Sequence, residues 1–418
     1  MVSEGSNWDK IQLPPYKVDH VISTMSQTQG WGIKDMNIPS VWSNTQGENV
    51  VIAVIDTGMA DHPDLGDNVT TGENFIPYEN DMDMNGHQTH CVGIICAENN
   101  DMGMVGVAPK SKVVCIKALD KNGSGSYMGI TQALEYCADI LKPDIVSMSL
   151  GGTQPFTSMH EQIKRLYDMN IPVICAAGNS GAGGVNYPAK YPETISVAAY
   201  DKNGNVAGFS SKGEEVDWAA PGVDIYSTFL EGRYARMSGT SMACPFMAGV
   251  VALMISNWKK TSNTRRSISS IIEELLHHTK DRGVIGPDNS WGYGVVDVPE
   301  LIDEDPFTPE FPDEPDETPE EDNPFTPEFP DEPDETPVTP PREEQPVSPI
   351  PLKPPPIWKR KRTWITVAIA ITSAIGIWLL AQHHNKQEHL DSVDWDKKFY
   401  QDLRDRNMTI NDWYQSRR

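Results

Sequence analysis

The chain has 418 residues and a formal net charge of -25, with 59 acidic against 34 basic side chains. This acidity excludes nucleic acid as the main partner, because phosphate groups are repelled by an acidic surface. The six cysteines all precede residue 250 and lie in apolar stretches, which indicates buried free thiols in a reducing compartment. Residues 1–10 are polar, so we expect no secretory signal at this end.

Residues 1–25 are mostly polar, apart from Leu-Pro-Pro-Tyr at residues 13–16. From residue 49 onward, short apolar runs alternate with amphipathic stretches, which predicts an α/β sheet with helices on both faces. Four runs rich in Val and Ile are predicted to be buried parallel strands, at residues 50–55, 113–119, 144–150 and 173–177. The intervening segments predicted to be helical are residues 87–97, 127–140 and 160–169.

Several polar residues follow these strands directly, and functional side chains gather at the carboxyl ends of parallel strands. Asp56, Ser149 and Asn179 occupy such positions. Ser241 precedes an apolar run at helical spacing, which places it at a helix N-terminus suited to developing negative charge. Taken alone, that position is equally typical of a plain N-cap.

His87 and His90 lie three residues apart in a polar turn that enters a predicted helix. Such a pair can ligate a metal ion, but no Glu or Cys completes a zinc spacing here. The alternative is that one histidine acts as a base beside Asp56 and the other packs inside.

Seven short motifs, in this order, resemble those of the subtilisin-like serine proteases, the subtilases, over about residues 27–297. They are Val-Ile-Asp-Thr-Gly at 54–58, Gly-His-x-Thr-His at 86–90, Val-Ala-Pro at 107–109, Ser-Leu-Gly-Gly at 149–152, Ala-Ala-Gly-Asn at 176–179, Ala-Pro-Gly at 220–222 and Gly-Thr-Ser-Met-Ala-x-Pro at 239–245. The resemblance implies the subtilisin-like three-layer fold with a mainly parallel sheet.

The resemblance also implies roles for individual residues. Ser241 is expected to be the nucleophile, His87 the general base and Asp56 the group that orients the imidazole. Asn179 is expected to stabilise the oxyanion, and His90 to pack inside. The cap-only interpretation of Ser241 becomes much weaker in this context.

Substrate is expected to bind as an added β-strand between two rim segments. By the resemblance, one rim is Gly123, Ser124 and Gly125, and the other is Ser149, Leu150 and Gly151. The first specificity pocket is expected to be walled by Ala176 and Gly178 and floored by Asn186. No acidic residue lies there, so we expect an apolar or mid-sized polar side chain before the cut.

Calcium is the cofactor that the resemblance implies. Its expected ligands are oxygens of Gln27, Asp64, Glu98, Asn100, Met102 and Met104, an oxygen-rich set that suits a hard cation. The alternative interpretation of residues 98–104 is an ordinary Asn/Gly turn.

Three features depart from the usual pattern of the family. Gln88 stands where the family usually has glycine, and we expect it to crowd the site and slow turnover. Cys91 resembles the free cysteine of one subgroup, which implies inhibition by mercurials. The N-terminal extension is short, and its Leu-Pro-Pro-Tyr resembles a segment of intracellular subtilisins that lies across the cleft, so residues 1–25 are expected to be an intramolecular inhibitor.

Beyond residue 302 the composition changes. Residues 303–350 carry 18 acidic side chains and one basic, and the 14-residue sequence at 306–319 recurs unchanged at 324–337. Dense proline and acid favour an extended spacer, with a docking tract for a basic partner as the alternative. Residues 364–381 contain no charge and are long enough to span a bilayer.

The basic cluster at 359–362 precedes this apolar run, and the positive-inside rule places the globular part in the cytoplasm. We therefore predict a single-pass membrane protein that cleaves protein or peptide substrates. The alternatives are a catalytically weak peptide-binding scaffold and an exported enzyme of inverted orientation. The predicted parts are an inhibitory extension (1–25), a subtilase catalytic domain (26–302), an acidic Pro-rich linker (303–356), a basic flank with the membrane helix (357–381) and a short tail (382–418).

Overall fold

The computed structural model describes residues 10–22, 26–262 and 264–303. These ranges contain a large parallel sheet, three small antiparallel sheets and the helices that pack on them. The strands are β1 (Lys10–Gln12), β2 (Lys17–Ile22), β3 (Val51–Asp56), β4 (Val69–Asn74), β5 (Lys112–Lys117), β6 (Ser124–Ser126), β7 (Ile145–Met148), β8 (Val173–Ala176), β9 (Thr194–Tyr200), β10 (Trp218–Pro221), β11 (Ile225–Thr228), β12 (Tyr234–Ser238), β13 (Thr279–Lys280) and β14 (Val295–Val296). The helices are α1 (Trp31–Asp35), α2 (His87–Cys96), α3 (Tyr127–Tyr136), α4 (Thr157–Asp168), α5 (Thr240–Lys259), α6 (Ile268–His277) and α7 (Val298–Asp303).

The large sheet has the strand order β10-β9-β8-β7-β3-β5-β4, and every neighbouring pair is parallel. Its central strands are nearly continuous runs of Val, Ile and Ala because both faces are buried. The four predicted strands correspond to β3, β5, β7 and β8. Since these strands share one direction, the residues that follow them meet at a single edge of the sheet.

Two buried helices carry predicted site residues to that edge. All ten residues of α2 are buried, and α2 packs against α5. Within the described ranges, α5 is the one helix long and apolar enough to span a bilayer, yet 94% of its apolar window is buried in the domain. It is therefore a core helix, apolar on all sides because it is surrounded by protein. The predicted membrane helix at 364–381 lies outside the described residues.

The N-terminal strands belong to two of the small sheets. β1 pairs antiparallel with β6, and β2 adds antiparallel to β12 in the sheet β11-β12-β2. Residues 10–22 are therefore held to the domain at both ends by backbone hydrogen bonds.

All six cysteines are buried free thiols, as the sequence predicted: Cys91, Cys96, Cys115, Cys137, Cys175 and Cys244. Burial raises the pKa of Cys137 to about 12, so this side chain packs as a small apolar group.

Candidate active site

A buried carboxylate and a buried imidazole meet where β3 ends and α2 begins. Asp56 is the last residue of β3 and His87 is the first of α2, and both side chains are fully buried. His87 Nδ1 lies 2.9 Å from each carboxylate oxygen of Asp56. Burial raises the pKa of Asp56, while the imidazole and the N–H of Thr57 oppose this shift. Because Nδ1 faces Asp56, Nε2 is the nitrogen left for another partner, and it has none among the described residues.

Ser241 lies close to the Asp56–His87 pair, because the Cys91 thiol contacts both His87 and Ser241. The thiol of Cys91 is 3.9 Å from His87 Nδ1 and donates to the Ser241 carbonyl at 3.4 Å. The Ser241 hydroxyl donates to the Ser149 carbonyl at 3.3 Å. Ser241 is the second residue of α5, and the N-cap position is taken by Gly239, so the hydroxyl is not a helix cap.

Asn179 is held with its amide directed into the cleft. Its Oδ1 accepts hydrogen bonds from the N–H and the hydroxyl of Thr240, at 2.9 and 2.8 Å. Its Nδ2 donates to the carbonyl of Pro15 at 2.8 Å. The amide is therefore anchored by Thr240, the residue before Ser241, and it presents its N–H donor to a backbone carbonyl of the N-terminal segment.

Residues 10–13 occupy the groove between the two predicted rim segments. Gln12 exchanges hydrogen bonds with Gly151, with N–O distances of 3.1 and 2.8 Å. The N–H of Leu13 donates to the carbonyl of Gly123 at 2.9 Å. On the same rim, Gln12 pairs with Ser124, and Ile11 pairs with Gly125. The chain's own N-terminus thus binds as the added strand expected of a substrate.

The residues after this strand cover the histidine. The Tyr16 ring centroid is 4.9 Å from that of His87, and its hydroxyl donates to Asn85 Oδ1 at 2.8 Å. Burial, followed by the charge of Asp56, raises the pKa of Tyr16 to about 12, so the phenol stays neutral. A backbone carbonyl at Asn179 and an aromatic ring on His87 therefore fill the site.

The predicted pocket residues belong to segments that are neighbours in the fold. Ala176 ends β8, and Gly178 has a φ of 112°, a conformation that favours glycine. The N–H of Asn186 donates to the Ala177 carbonyl at 3.0 Å, and a Cβ at Gly178 would meet the Asn186 amide at 2.8 Å. Leu150 of the opposite rim is fully buried. Gly151 of that rim lies beside Asn186, since a Cβ at Gly151 would meet the Asn186 Cβ at 3.0 Å. That these residues form the specificity pocket stays a prediction.

Gln88 differs from the expectation that it crowds the cleft. Its side chain is fully buried and turns away toward β3, where Nε2 donates to the Val54 carbonyl at 2.9 Å. Its Oε1 accepts from the N–H of Gly58. The Gln88 side chain therefore lies behind the site and does not crowd the cleft. It gives no support to the alternative of a catalytically weak scaffold.

His90 is also inside, as expected. Its Nε2 lies 3.1 Å from the carbonyls of both Ile225 and Ala235. The metal-like cluster in the described residues is instead Asp56, His87 and Cys91, so His87 and His90 do not form the histidine pair that zinc would need.

Two buried residues that support the site were not predicted. Asp83 accepts hydrogen bonds from the N–H groups of Asn85, Gly86 and Thr89, and so caps the start of α2. The Asp four residues before His87 was the sequence signal for this cap.

The second supporting residue is Lys117, whose side chain is only 1% exposed. Its Nζ donates to the carbonyls of Thr57 at 2.6 Å and Met82 at 3.2 Å, and it pairs with Glu79 at 3.3 Å. A lysine directly after the apolar run at residues 113–116 of β5 was its only sequence signal.

The predicted calcium ligands converge elsewhere, beside the end of α2. Gln27 Nε2 lies 2.8 Å from the Glu98 carbonyl and 3.3 Å from that of Met104. Asp64 accepts from the N–H of Met104 through Oδ2, and its buried Oδ1 has no partner among the described residues. Asn100 Oδ1 accepts from the Met102 N–H at 3.0 Å.

The arrangement at the carboxyl edge of the parallel sheet is suited to acyl transfer. It consists of an Asp–His pair, a serine on a helix and a side-chain amide donor. The subtilase family model matches residues 47–294. The chain is 39% identical over 275 residues to the thermostable alkaline protease of Halalkalibacterium halodurans, covering 65% of this chain and 73% of that protein.

It is 42% identical over 256 residues to an intracellular serine protease of Paenibacillus polymyxa, covering 59% and 78% of the two chains. For thermitase of Thermoactinomyces vulgaris the identity is 38% over 248 residues, covering 59% and 88%. The chain belongs to the subtilase family and is a subtilisin-like serine endopeptidase.

Proposed function

We propose that Ser241, His87 and Asp56 form the catalytic triad and that Asn179 supplies an oxyanion donor. The observation that carries this proposal is the His87 ring, whose Nδ1 is fixed 2.9 Å from Asp56 and whose buried Nε2 is unpartnered among the described residues. A neutral imidazole held in this tautomer accepts a proton at Nε2.

In the proposed reaction the Ser241 oxygen attacks the peptide carbonyl carbon while its proton passes to His87 Nε2. The carbonyl oxygen becomes an oxyanion that the Asn179 amide stabilises. The C–N bond then breaks, and the leaving nitrogen takes the proton from Nε2. Water attacks the resulting ester by the reverse sequence, which releases the acid and restores the serine.

We infer further that the N-terminal segment keeps the enzyme latent. The Pro15 carbonyl occupies the Asn179 donor, and the Tyr16 ring covers His87, so neither group is free for a substrate. The Ser241 hydroxyl donates to Ser149 rather than to the histidine. The rings of Pro14 and Pro15 restrict the backbone of the segment that contacts the Asn179 amide, which supports resistance to cleavage.

The test is labelling by a serine-reactive fluorophosphonate, with and without residues 1–25, in the full chain. We expect labelling that rises on removal of the segment and disappears in Ser241→Ala. Equal labelling of both forms would support the triad assignment but contradict the proposed latency. A folded protein that labels no more than Ser241→Ala in either form would overturn the triad assignment.

Calcium binding is a separate proposal, which rests on the cluster around Gln27 and Asp64. Burial raises the pKa of Asp64 to about 6, and its Oδ1 has no hydrogen-bond partner among the described residues; both features fit a carboxylate meant to face a cation. The residues that would hold Ca²⁺ are Asp64 and Asn100 through side-chain oxygens, and Glu98, Met102 and Met104 through carbonyls. Gln27 would join them through Oε1 once its amide turns over, because Nε2 is the atom that faces the Glu98 and Met104 carbonyls in this structure.

The cation would tie residues 26–28 to the loop that follows α2. Calcium is expected to raise the melting temperature of the parent and to have little effect on Asp64→Asn. The matched control is Asp67→Asn, since Asp67 is a nearby exposed acid. An equal calcium effect on all three proteins would disprove this site.

We also propose that residues 364–381 anchor the enzyme in a membrane with the protease in the cytoplasm. The support is the uncharged run with its basic flank at 359–362. The acidic repeat would then act as a spacer that lets the protease reach protein substrates near the bilayer.

A further inference from the structure

Gln88 links the two elements that carry Asp56 and His87. It follows His87 directly in the first turn of α2, and its side chain is 0% exposed. Its amide nitrogen donates to the Val54 carbonyl at 2.9 Å, and its amide oxygen accepts from the Gly58 N–H. These two backbone groups lie two residues before and two residues after Asp56.

The backbone of Gln88 adds a third link. Its N–H donates to Thr57 Oγ1 at 3.1 Å, and that hydroxyl donates to Asp83 Oδ1 at 2.9 Å. The chain leaves the sheet after Asp56 and turns at Gly58, whose φ of 114° is one that glycine adopts readily. Beyond the end of the strand, hydrogen bonds to neighbouring elements hold the backbone in place. Gln88 therefore contacts the chain on both sides of Asp56 from the helix that holds His87.

A side-chain amide has the chemistry that this place requires. It offers a donor and an acceptor about 2 Å apart, and it faces one buried carbonyl and one buried N–H. A buried backbone group without a partner costs about 1–3 kcal/mol. An apolar side chain of the same size would leave the Gly58 N–H unpaired and would remove the hydrogen bond from Gln88 to the Val54 carbonyl, which lies within the β3–β5 ladder.

We propose that Gln88 is a positioning residue that sets the orientation of the Asp56 carboxylate toward His87 Nδ1. This inference rests on the triad proposed above. The carboxylate belongs to the last residue of β3, so its direction follows from the backbone at residues 54–58. Holding that backbone from α2 fixes the distance between the two catalytic side chains, and a misplacement of about 1 Å can cost 10²-fold in rate.

The test compares Gln88→Met with the parent, in the full chain or, if the parent is latent, in the chain without residues 1–25. Methionine keeps the length and volume but cannot form either hydrogen bond. We expect kcat to fall about 10- to 100-fold with KM changed less than about twofold, because ground-state binding is untouched. The proton NMR resonance of the His87 Nδ1–H is expected to shift or broaden.

Gln88→Glu is the conservative rescue. A carboxyl group buried here stays protonated, so it again offers one acceptor and one donor, and kcat should recover toward the parent value. Thr228→Val is the matched control. Thr228 Oγ1 donates to the Thr89 carbonyl at 2.7 Å, so this variant removes a hydrogen bond to α2 that does not involve Asp56. It should leave both kcat and the resonance unchanged.

The proposal fails if Gln88→Met keeps the parent kcat. It also fails if the variant loses stability while the His87 resonance and the pH profile of kcat/KM stay as in the parent, since that is a purely structural role. If Gln88→Met does not fold, Gln88→Glu carries the test, and a folded Gln88→Glu whose kcat and His87 resonance do not return toward the parent values then counts against the proposal. A parent that is inactive and unlabelled overturns the triad instead, which keeps the two failures distinct.

Discussion

At the scale of single residues, burial decides which chemistry each side chain performs. His87 and His90 have the same side chain and lie on the same helix, but they have different surroundings. The first faces the carboxylate of Asp56. The second faces two backbone carbonyls, and burial lowers its pKa to about 3. His90 is therefore neutral in the folded protein at any pH where the enzyme would act.

This burial predicts an acid sensitivity. In the unfolded chain His90 takes up a proton below about pH 6.5, whereas the folded protein does not until about pH 3. The unfolded state binds more protons in this window, so stability falls as the pH falls, by up to about 1.4 kcal/mol per pH unit from this group. His90→Gln should show a shallower slope between pH 6 and pH 4.

The measurement is urea unfolding across that range in a Ser241→Ala background, which prevents autolysis. The slope is the readout, since the substitution also changes the absolute stability. Parallel curves for the two proteins would show that His90 does not carry this dependence.

At the scale of elements, the two N-terminal strands differ in how deeply their side chains are buried. In β1, Ile11 is fully buried between exposed neighbours and belongs to the core of the domain. In β2, Val18 and Val21 are 41% and 45% exposed. Within these two strands Ile11 is the fully buried side chain, and the rest of the contact comes from backbone pairing and from residues between the strands, where Pro14 is buried and Tyr16 covers His87.

Truncation of the anchor should raise the basal activity. Ile11→Ala is expected to destabilise the closed state by about 2–4 kcal/mol, which is the usual cost of truncating a buried isoleucine to alanine. If closure limits the activity, the open fraction rises at least tenfold while the closed form still dominates. Val21→Ala is the matched control and should change little. The measurement is hydrolysis of a short chromogenic peptide, and equal rates for both variants and the parent would argue against the anchor.

At the scale of the whole molecule, one protease domain is joined to a long acidic repeat and an apolar run near the C-terminus. The described part contains one helix that is apolar enough for a bilayer, and that helix is in the core. The apolar run proposed as the anchor, residues 364–381, lies outside the described residues.

Truncation after residue 302 tests the proposed anchor. We expect the full chain to sediment with membranes and to resist extraction by alkaline carbonate, because a spanning helix is released only by detergent. The truncated chain should stay in the soluble fraction and keep its reaction with fluorophosphonate. A full chain that is released by carbonate, or that never sediments, would count against the membrane helix.

The parallel strands and the candidate triad could be read from the sequence because their signals are local. A run of Val and Ile predicts a buried strand, and short motifs such as Gly-Thr-Ser-Met-Ala carry their own geometry. The subtilase family could also be predicted from these motifs, and the match to the family model confirms it.

Contacts between distant residues were decided only by the tertiary structure. The hydrogen bond from Asn179 to Pro15 joins residues 164 positions apart, and no local pattern specifies which carbonyl the amide meets. The expectation that Gln88 crowds the cleft was wrong for the same reason, because the partners of its buried amide, the Val54 carbonyl and the Gly58 N–H, lie 30 or more positions away in the sequence. Local propensity acts over a few residues, whereas packing and hydrogen-bond satisfaction act across the whole fold.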